Sequence, residues 1–313
     1  MIRVTFLGTS AARPTVPRNV SAIAVEREGD FLLFDCGEGT QRQMMRYRTG
    51  FDLDHIFVSH LHADHYLGIP GLLRTLSLQG RTEPLFLYGP QGSRSTLRAA
   101  VTIGGNRLTY EVATRELAPL EAVDFGDYRV EALRVRHGMP ALGYALRENP
   151  RPGRFDLAAA RALGIPEGPL YGALQRGESI EFDGRRIESG EVVGPPRPGR
   201  LVVYTGDTRP APELAERARG ADILIHDATF GDHGKARARE TRHSTAREAA
   251  RIAARARVRR LYLTHLSARY AADPSSLVRE AREVFPAATV AYDGLTVEIG
   301  YGAATPAEGK GAG

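Results

Sequence analysis

The chain has 313 residues, with 42 Lys and Arg against 37 Asp and Glu, a net charge of +5 and a pI near 9.5. Its one cysteine, Cys36, excludes an internal disulfide framework and a cysteine-built metal site, so any metal chemistry must come from imidazole and carboxylate. The positive balance suits a polyanion such as RNA, but only Lys235 and Lys310 among the basic residues are lysines, and a bias of that kind reflects genome composition more than a partner.

The N-terminus runs straight into a strand pattern, with no apolar stretch long enough for a leader or a membrane span, which predicts a cytoplasmic protein. Strands are expected at Ile2–Leu7, Ser21–Glu26, Phe31–Phe34, Ile56–Val58, Leu85–Tyr88 and Tyr128–Arg136, with helices near Thr40–Arg48 and Leu67–Leu78. From Asn149 to Gly199 the chain turns dense in Gly, Pro and charge. One short helix is expected there, at Asp156–Leu163, followed by the Gly- and Pro-containing stretch from Gly164 to Gly177. Insertions this long inside a domain are functional or disordered. A second block starts at Arg200, with strands at Leu201–Tyr204, Ile223–His226, Leu261–Leu263 and Thr289–Ala291 and helices at Glu213–Arg219, Thr245–Ala256 and Pro274–Val284. Two such blocks predict an α/β fold of two sheets sandwiched between helices, forming one domain over residues 1–301. Residues 302–313 have no apolar pattern and are expected to be disordered.

Chemistry concentrates between Ser59 and Gly68, where His60, His62, Asp64 and His65 fall within six residues on a strand-to-helix loop. Imidazole nitrogen and carboxylate oxygen are ligands zinc prefers, and two such sites about 3.5–4 Å apart can share one nucleophile. Further candidates stand where later strands end: His137, Asp207 in the turn Thr205 to Arg209, and His265. Any one alone is ordinarily a polar strand terminus. Together they divide into two sets, His60, His62 and His137 for one metal and Asp64, His65 and His265 for another, with Asp207 able to bridge both. His243 is not needed as a ligand and precedes a helix start capped by Ser244 or Thr245. His55 and His233 read as structural or surface residues, and His226 as a strand-end residue of uncertain use.

This constellation resembles the metallo-β-lactamase superfamily, and within it the RNase Z family of tRNA 3′-processing endoribonucleases, over roughly residues 1–301. Phe6-Leu-Gly-Thr-Ser10, Asp35-Cys-Gly-Glu-Gly-Thr-Gln41, Gly68-Ile-Pro-Gly-Leu-Leu73, His243-Ser-Thr245 and Thr264-His-Leu-Ser-Ala-Arg-Tyr270 carry the resemblance. Two positions depart from it: Val16 stands for a lysine in Pro14-Thr-Val-Pro-Arg-Asn19, and Asp227 for a glutamate in Ile225-His-Asp-Ala-Thr-Phe230.

The resemblance implies a four-layer αββα sandwich with an inserted flexible arm at residues 149–199, two Zn²⁺ per subunit, precursor tRNA as substrate and a homodimer. It implies Asp64 as acceptor of the attacking water's proton and His243 as donor to the leaving oxygen. Asp35 would orient the ligand histidines and Asp227 the His243 ring. Substrate contacts would come from Arg18, Asn19, Ser267, Arg269 and, in the arm, Gly168 and Pro169. The alternatives are a generic phosphodiesterase or exoribonuclease on the same ligands, and a metal-bearing RNA-binding protein without turnover.

Overall fold

The computed structural model describes residues 1–105 and 107–301. The tail expected to be disordered, 302–313, lies outside them. The chain divides into two compact units, one made of residues 1–124, 130–146 and 201 onward, the other of 125–129 and 147–200.

The first unit holds two seven-stranded mixed sheets. One runs β16-β1-β2-β3-β4-β5-β6, from β1 (Ile2–Gly8), β2 (Ala22–Arg27), β3 (Asp30–Phe34), β4 (His55–Phe57), β5 (Leu85–Pro90), β6 (Val112–Leu117) and the returning β16 (Thr296–Ile299). The other runs β15-β14-β13-β12-β9-β8-β7, from β7 (Ala122–Asp124), β8 (Tyr128–Arg134), β9 (Leu142–Glu148), β12 (Leu201–Tyr204), β13 (Ile223–Asp227), β14 (Arg260–Thr264) and β15 (Ala288–Val290). Period-two alternation gives each strand two faces. In β12, Leu201 and Val203 pack under helices α7 (Pro212–Arg217), α9 (Ala246–Ala256) and α10 (Ser275–Arg282), while Tyr204 faces Phe34 of the other sheet. The first sheet is covered in the same way by α1 (Thr40–Tyr47), α3 (Ile69–Leu78) and α4 (Arg94–Thr102), through Met44, Leu72, Leu73 and Leu97. Aromatic pairs such as Phe6–Tyr262 and Phe57–Tyr144 fill the space between the sheets. The result is a helix–sheet–sheet–helix sandwich. No helix among the described residues is long and apolar enough to cross a membrane.

The second unit contains α5 (Leu157–Ala162), α6 (Pro169–Gln175) and a hairpin of β10 (Ile180–Phe182) and β11 (Arg185–Ile187) around a core of Ala160, Ile165, Leu174, Ile180, Ile187 and Val192. Asp156 caps α5 by accepting from Ala158 and Ala159 N–H. Gly168 and Pro169 form the entry to α6, with the proline at its first position, where a missing N–H costs nothing. At the neck, Arg151 and Arg197 exchange two backbone hydrogen bonds of 2.8 and 2.9 Å.

The parallel strands deliver their loops to one end, and one turn there sets the rest. Leaving β3, Asp35 takes a left-handed backbone (φ 58°), a conformation costing a non-glycine residue roughly 1–3 kcal/mol. The following turn is stapled to the histidine-rich loop by Cys36 N–H to His65 O (2.8 Å) and Gly68 N–H to Cys36 O (2.9 Å). The two backbones meet so closely that a Cβ on Gly68 would stand 2.0 Å from Gly37 O. We therefore expect Gly68→Ala to destabilise the protein by about 1–3 kcal/mol through overpacking. Gly190→Ala, whose Cβ meets nothing within 4 Å, should change stability by less than about 0.5 kcal/mol. Equal urea midpoints for the two variants would show that the staple tolerates a side chain.

Candidate metal centre

The loop after β4 runs Ser59 to His62 and enters a single helical turn, α2 (Ala63–Tyr66), carrying Asp64 and His65. Buried Asp35 anchors it: Oδ1 accepts from Ser59 N–H (2.6 Å) and Oδ2 from Ser59 Oγ–H (2.8 Å) and Tyr204 O–H (2.6 Å). The same Oδ2 stands 2.7 Å from His65 Nδ1. All the candidate ligands belong to the first unit. His137 is not the strand terminus expected from sequence: β8 stops at Arg134, and His137 sits in the loop beyond.

Four rings share one arrangement. Nδ1 of His60 faces Ser59 Oγ (3.0 Å), that of His65 faces Asp35, that of His137 faces Arg242 O (3.2 Å) and that of His265 faces Thr229 Oγ1 (2.9 Å). Both hydroxyls donate onward to carboxylates, Ser59 to Asp35 and Thr229 to Asp227, so their lone pairs are left to accept from the rings. With the proton held on Nδ1, Nε2 of each ring is free to turn inward as a ligand atom.

These inward atoms fall into two groups, His60, His62 and His137 with Asp207, and Asp64, His65 and His265. In the first, His62 Nδ1 is 2.9 Å from His60 Nε2 and 3.2 Å from His137 Nε2. In the second, His265 Nε2 lies 3.3 Å from Asp64 Oδ2 and 3.4 Å from His65 Nε2. Asp207 faces both: Oδ2 is 3.5 Å from His60 Nε2 and 3.4 Å from His65 Nε2, and Oδ1 is 3.3 Å from His265 Nε2. Atoms bound 2.0–2.1 Å from a tetrahedral zinc stand about 3.3–3.4 Å apart, so the spacing fits. Among the described residues the buried Asp207 Oδ1 has no hydrogen-bond donor, an oxygen a cation would satisfy.

The electrostatics agree with that fit. Burial lowers the pKa of His60, His62 and His137, keeping these rings in the neutral form that can ligate. Burial also opposes charge on His65, but Asp207 and Asp35 outweigh it and push its pKa well above the ordinary value. This position is built to hold positive charge, carried by a proton or by a metal. Asp207 resists its own burial because His265, His65 and His60 hold its pKa far below the usual range.

His243 stands beside this cluster on different terms. Its Nδ1 is 2.9 Å from Asp227 Oδ2, and among the described residues nothing accepts from its Nε2. Asp227 is fully engaged, with Oδ1 taking Thr229 N–H and O–H and Oδ2 taking Thr208 N–H as well as the ring. The grouping of Asp207, Asp227, His243 and His265 therefore offers a cation fewer open lone pairs than the other two. Burial disfavours charge on His243, yet Asp227 more than offsets it and the pKa rises to about 9. His226 points elsewhere, buried with Nδ1 against Asp227 O.

A cavity of about 470 Å³ opens over the cluster, bounded by Asp64, Asp207, Phe230, His243, Ser267 and Arg269. Arg269 is exposed, its guanidinium 5.5 Å above the Phe230 ring. A larger hollow of about 680 Å³ lies around His55, Arg81 and Phe86 at the N-terminal ends of β4 and β5, away from every candidate ligand. Of the expected substrate contacts, Arg18 is only 6% exposed and donates to Thr9 Oγ1 (2.7 Å) and Ala291 O (2.6 Å), which makes it an internal brace. Asn19 is half-buried and donates to Glu38 O (2.9 Å). Val16 is fully exposed. Sequence reasoning missed Ser59 and Thr229, which hold the rings of His60 and His265, Tyr204, which donates to Asp35, and Ala12, whose N–H donates to Asp64 Oδ2 (2.7 Å). Hydroxyl residues in loops carry no spacing signal that marks them as such.

Residues 15–265 match the family model of the Metallo-beta-lactamase superfamily. The chain is 54% identical over 301 residues to a Ribonuclease Z of Myxococcus xanthus, covering 96% of this chain and 98% of the relative. It is 56% identical over 299 residues to a Ribonuclease Z of Gemmatimonas aurantiaca, covering 95% of each. The crystal structure of the short form of human tRNase Z superposes with a TM-score of 0.70 at 29% identity, over 95% of this chain and 99% of that one. By its sequence and its fold, the chain belongs to the ribonuclease Z family of the metallo-beta-lactamase superfamily.

Proposed function

We propose that the chain is a zinc-dependent endoribonuclease that removes the 3′ trailer of precursor tRNA by hydrolysis after the discriminator nucleotide. The observation carrying this reading is the two-group ligand cluster with a separate, carboxylate-backed imidazole, His243, in the same cavity. Family membership supports the substrate, since the relatives are named Ribonuclease Z.

His60, His62 and His137 would hold one zinc and Asp64, His65 and His265 the other, with Asp207 shared. Bound zinc would supply Lewis acidity for the phosphate oxygens and lower the pKa of water. The remaining steps belong to side chains. Asp64, with one oxygen on Ala12 N–H, would take the proton of the attacking water with the other. As the water oxygen bonds to phosphorus, the P–O3′ bond breaks and His243 gives its proton to O3′. The tRNA then keeps a 3′-hydroxyl and the trailer a 5′-phosphate. Asp227 stabilises the charged His243 ring before that transfer.

The second unit would act as the arm that holds the body of the tRNA, with Gly168 and Pro169 at the entry to α6. In a homodimer the arm of one subunit would hold the tRNA cut by the other. A lone buried Cys36 is consistent with a cytoplasmic location.

Elemental analysis should find two zinc ions per active chain, and Asp207→Ala should lose metal and cleavage together. One metal per fully active chain would defeat the two-metal reading. His243→Ala should keep both metals and tRNA affinity while single-turnover cleavage slows by about 10²–10⁴-fold. An unchanged rate would leave His243 as a loop residue only.

The neck hydrogen bonds between Arg151 and Arg197 allow residues 152–196 to be replaced by a short Gly/Ser linker. That variant should bind precursor tRNA far more weakly and still hydrolyse bis(p-nitrophenyl) phosphate. Its binding should also depend less on salt, by about 0.7–0.9 in log–log slope per lost phosphate contact. Unchanged KM and salt dependence would mean that the second unit does not touch substrate.

A further inference from the structure

Two residues beyond Asp207, Arg209 reaches across to the His243 loop. Its Nη1 donates to the backbone carbonyl of His243 (2.5 Å) and to Glu248 Oε2 (2.8 Å), and its Nη2 donates to Glu248 Oε1 (2.6 Å). Glu248 is the third residue of α9, and its carboxylate also accepts from Thr245 N–H (3.0 Å), closing the capping box with Thr245. At its other end, Arg209 N–H donates to Arg136 O (2.8 Å), next to His137. Ser244 Oγ–H donates to Thr208 O (2.5 Å), a second stitch between the same two loops. One residue thus ties the loop of a shared candidate ligand to the loop of another through its backbone N–H, and to the carbonyl of His243 through its side chain.

We infer that Arg209 is the positioning residue for His243 in leaving-group protonation, gripping the His243 carbonyl and the α9 cap so that the ring stays on Asp227 with Nε2 toward the cavity. This inference rests on the role proposed above for His243. A planar fork serves a carbonyl and both oxygens of one carboxylate from two nitrogens held apart, whereas an ammonium offers all its N–H groups from a single nitrogen and cannot reproduce that spacing. Ser244 and the capping box hold the loop from its α9 side, and the Ser244 N–H reaches Asp227 Oδ2 only at 3.4 Å, so the Arg209 contact is the short hydrogen bond on the His243–Ser244 peptide. The chemistry affected is one proton transfer: His243 N–H to O3′ as the P–O3′ bond breaks.

The test combines variants with two substrates, the natural 3′-extended tRNA and one whose scissile linkage carries sulfur at the 3′ position, a leaving atom that departs without protonation. Arg209→Met should keep its metal content and tRNA Kd while single-turnover cleavage of the oxygen substrate falls by about 10²-fold, the scale of a 1 Å misplacement. Arg209→Lys should fall between it and the parent. Arg209→Met should cleave the sulfur substrate at the parent rate, as should His243→Ala. The double variant His243→Ala/Arg209→Met should be no slower than His243→Ala, because both act on one step. If Glu248, left unpaired, prevents Arg209→Met from folding, Arg209→Met/Glu248→Gln removes that charge and carries the same expectations. A slowed His243→Ala with a multiplicatively slower double variant, or an equal loss on the sulfur substrate, overturns the role of Arg209 alone. An intact rate in His243→Ala overturns both it and the reading on which it rests.

Discussion

The carboxylate of Asp35 accepts from both sheets, and the site depends on it. It closes β3, takes two hydrogen bonds from Ser59 at the exit of β4, and takes a third from Tyr204 at the end of β12 in the opposite sheet. A buried carboxylate without such donors would cost several kcal/mol, so these contacts must all form or the seam between the sheets does not close. Once they form, His65 and Ser59 have no freedom left, and through Ser59 neither does His60. The left-handed backbone at Asp35 is the local strain that this closure sustains. His265, with the same φ of 58°, repeats the device at the end of β14.

Gathering the ligands brings like groups together, and burial sharpens the conflict. Ring nitrogens of His60, His62 and His137 face one another across 2.9 and 3.2 Å, while Asp64 and Asp207 are carboxylates largely taken out of water. Hydrogen bonds at Nδ1 set the direction of His60, His65, His137 and His265 but do not relieve that crowding. Positive charge at the centre does. The strong upward shift at His65 and downward shift at Asp207 express the same field, one that favours cations at the seam.

Much of this was legible in the sequence, for identifiable reasons. Strands such as Leu201–Tyr204 are buried on both faces and read as short apolar runs, and ligand types at strand ends are rare enough in combination to stand out. What escaped was set by tertiary contact. Strand β9, Leu142–Glu148, is buried along nearly its whole length but interrupts its apolar run with Gly143, where a Cβ would meet Tyr204 O at 2.9 Å. The second unit read as a loop with one helix because its core is only a few side chains, spread thinly between Ala160 and Val192. Arg18 is a substrate contact only by what the resemblance implies, and an arginine beside an asparagine in a loop gives no sign that its head turns inward to a backbone carbonyl.

The histidines show how one side-chain type divides into two kinds of work. His65 and His243 are both backed by a buried carboxylate, and both have raised pKa values. Their difference lies at the other ring nitrogen. Nε2 of His65 is turned into the ligand group, 3.4 Å from Asp207 and from His265, where a cation would compete for its lone pair. Among the described residues, Nε2 of His243 has no such neighbour, and His243 lines the cavity. A metal bound among the ligands would lower the pKa of His243 from about 9 by repulsion, toward the range where an acid both holds and releases its proton at neutral pH. Asp227 would oppose that repulsion, and on the proposed reading the balance between the two would set how readily the ring gives its proton up. On the proposed reading, a ring this close to two bound cations would act as an acid only if a carboxylate kept it charged, and Asp227, buried and with both oxygens hydrogen-bonded, has one of them on His243.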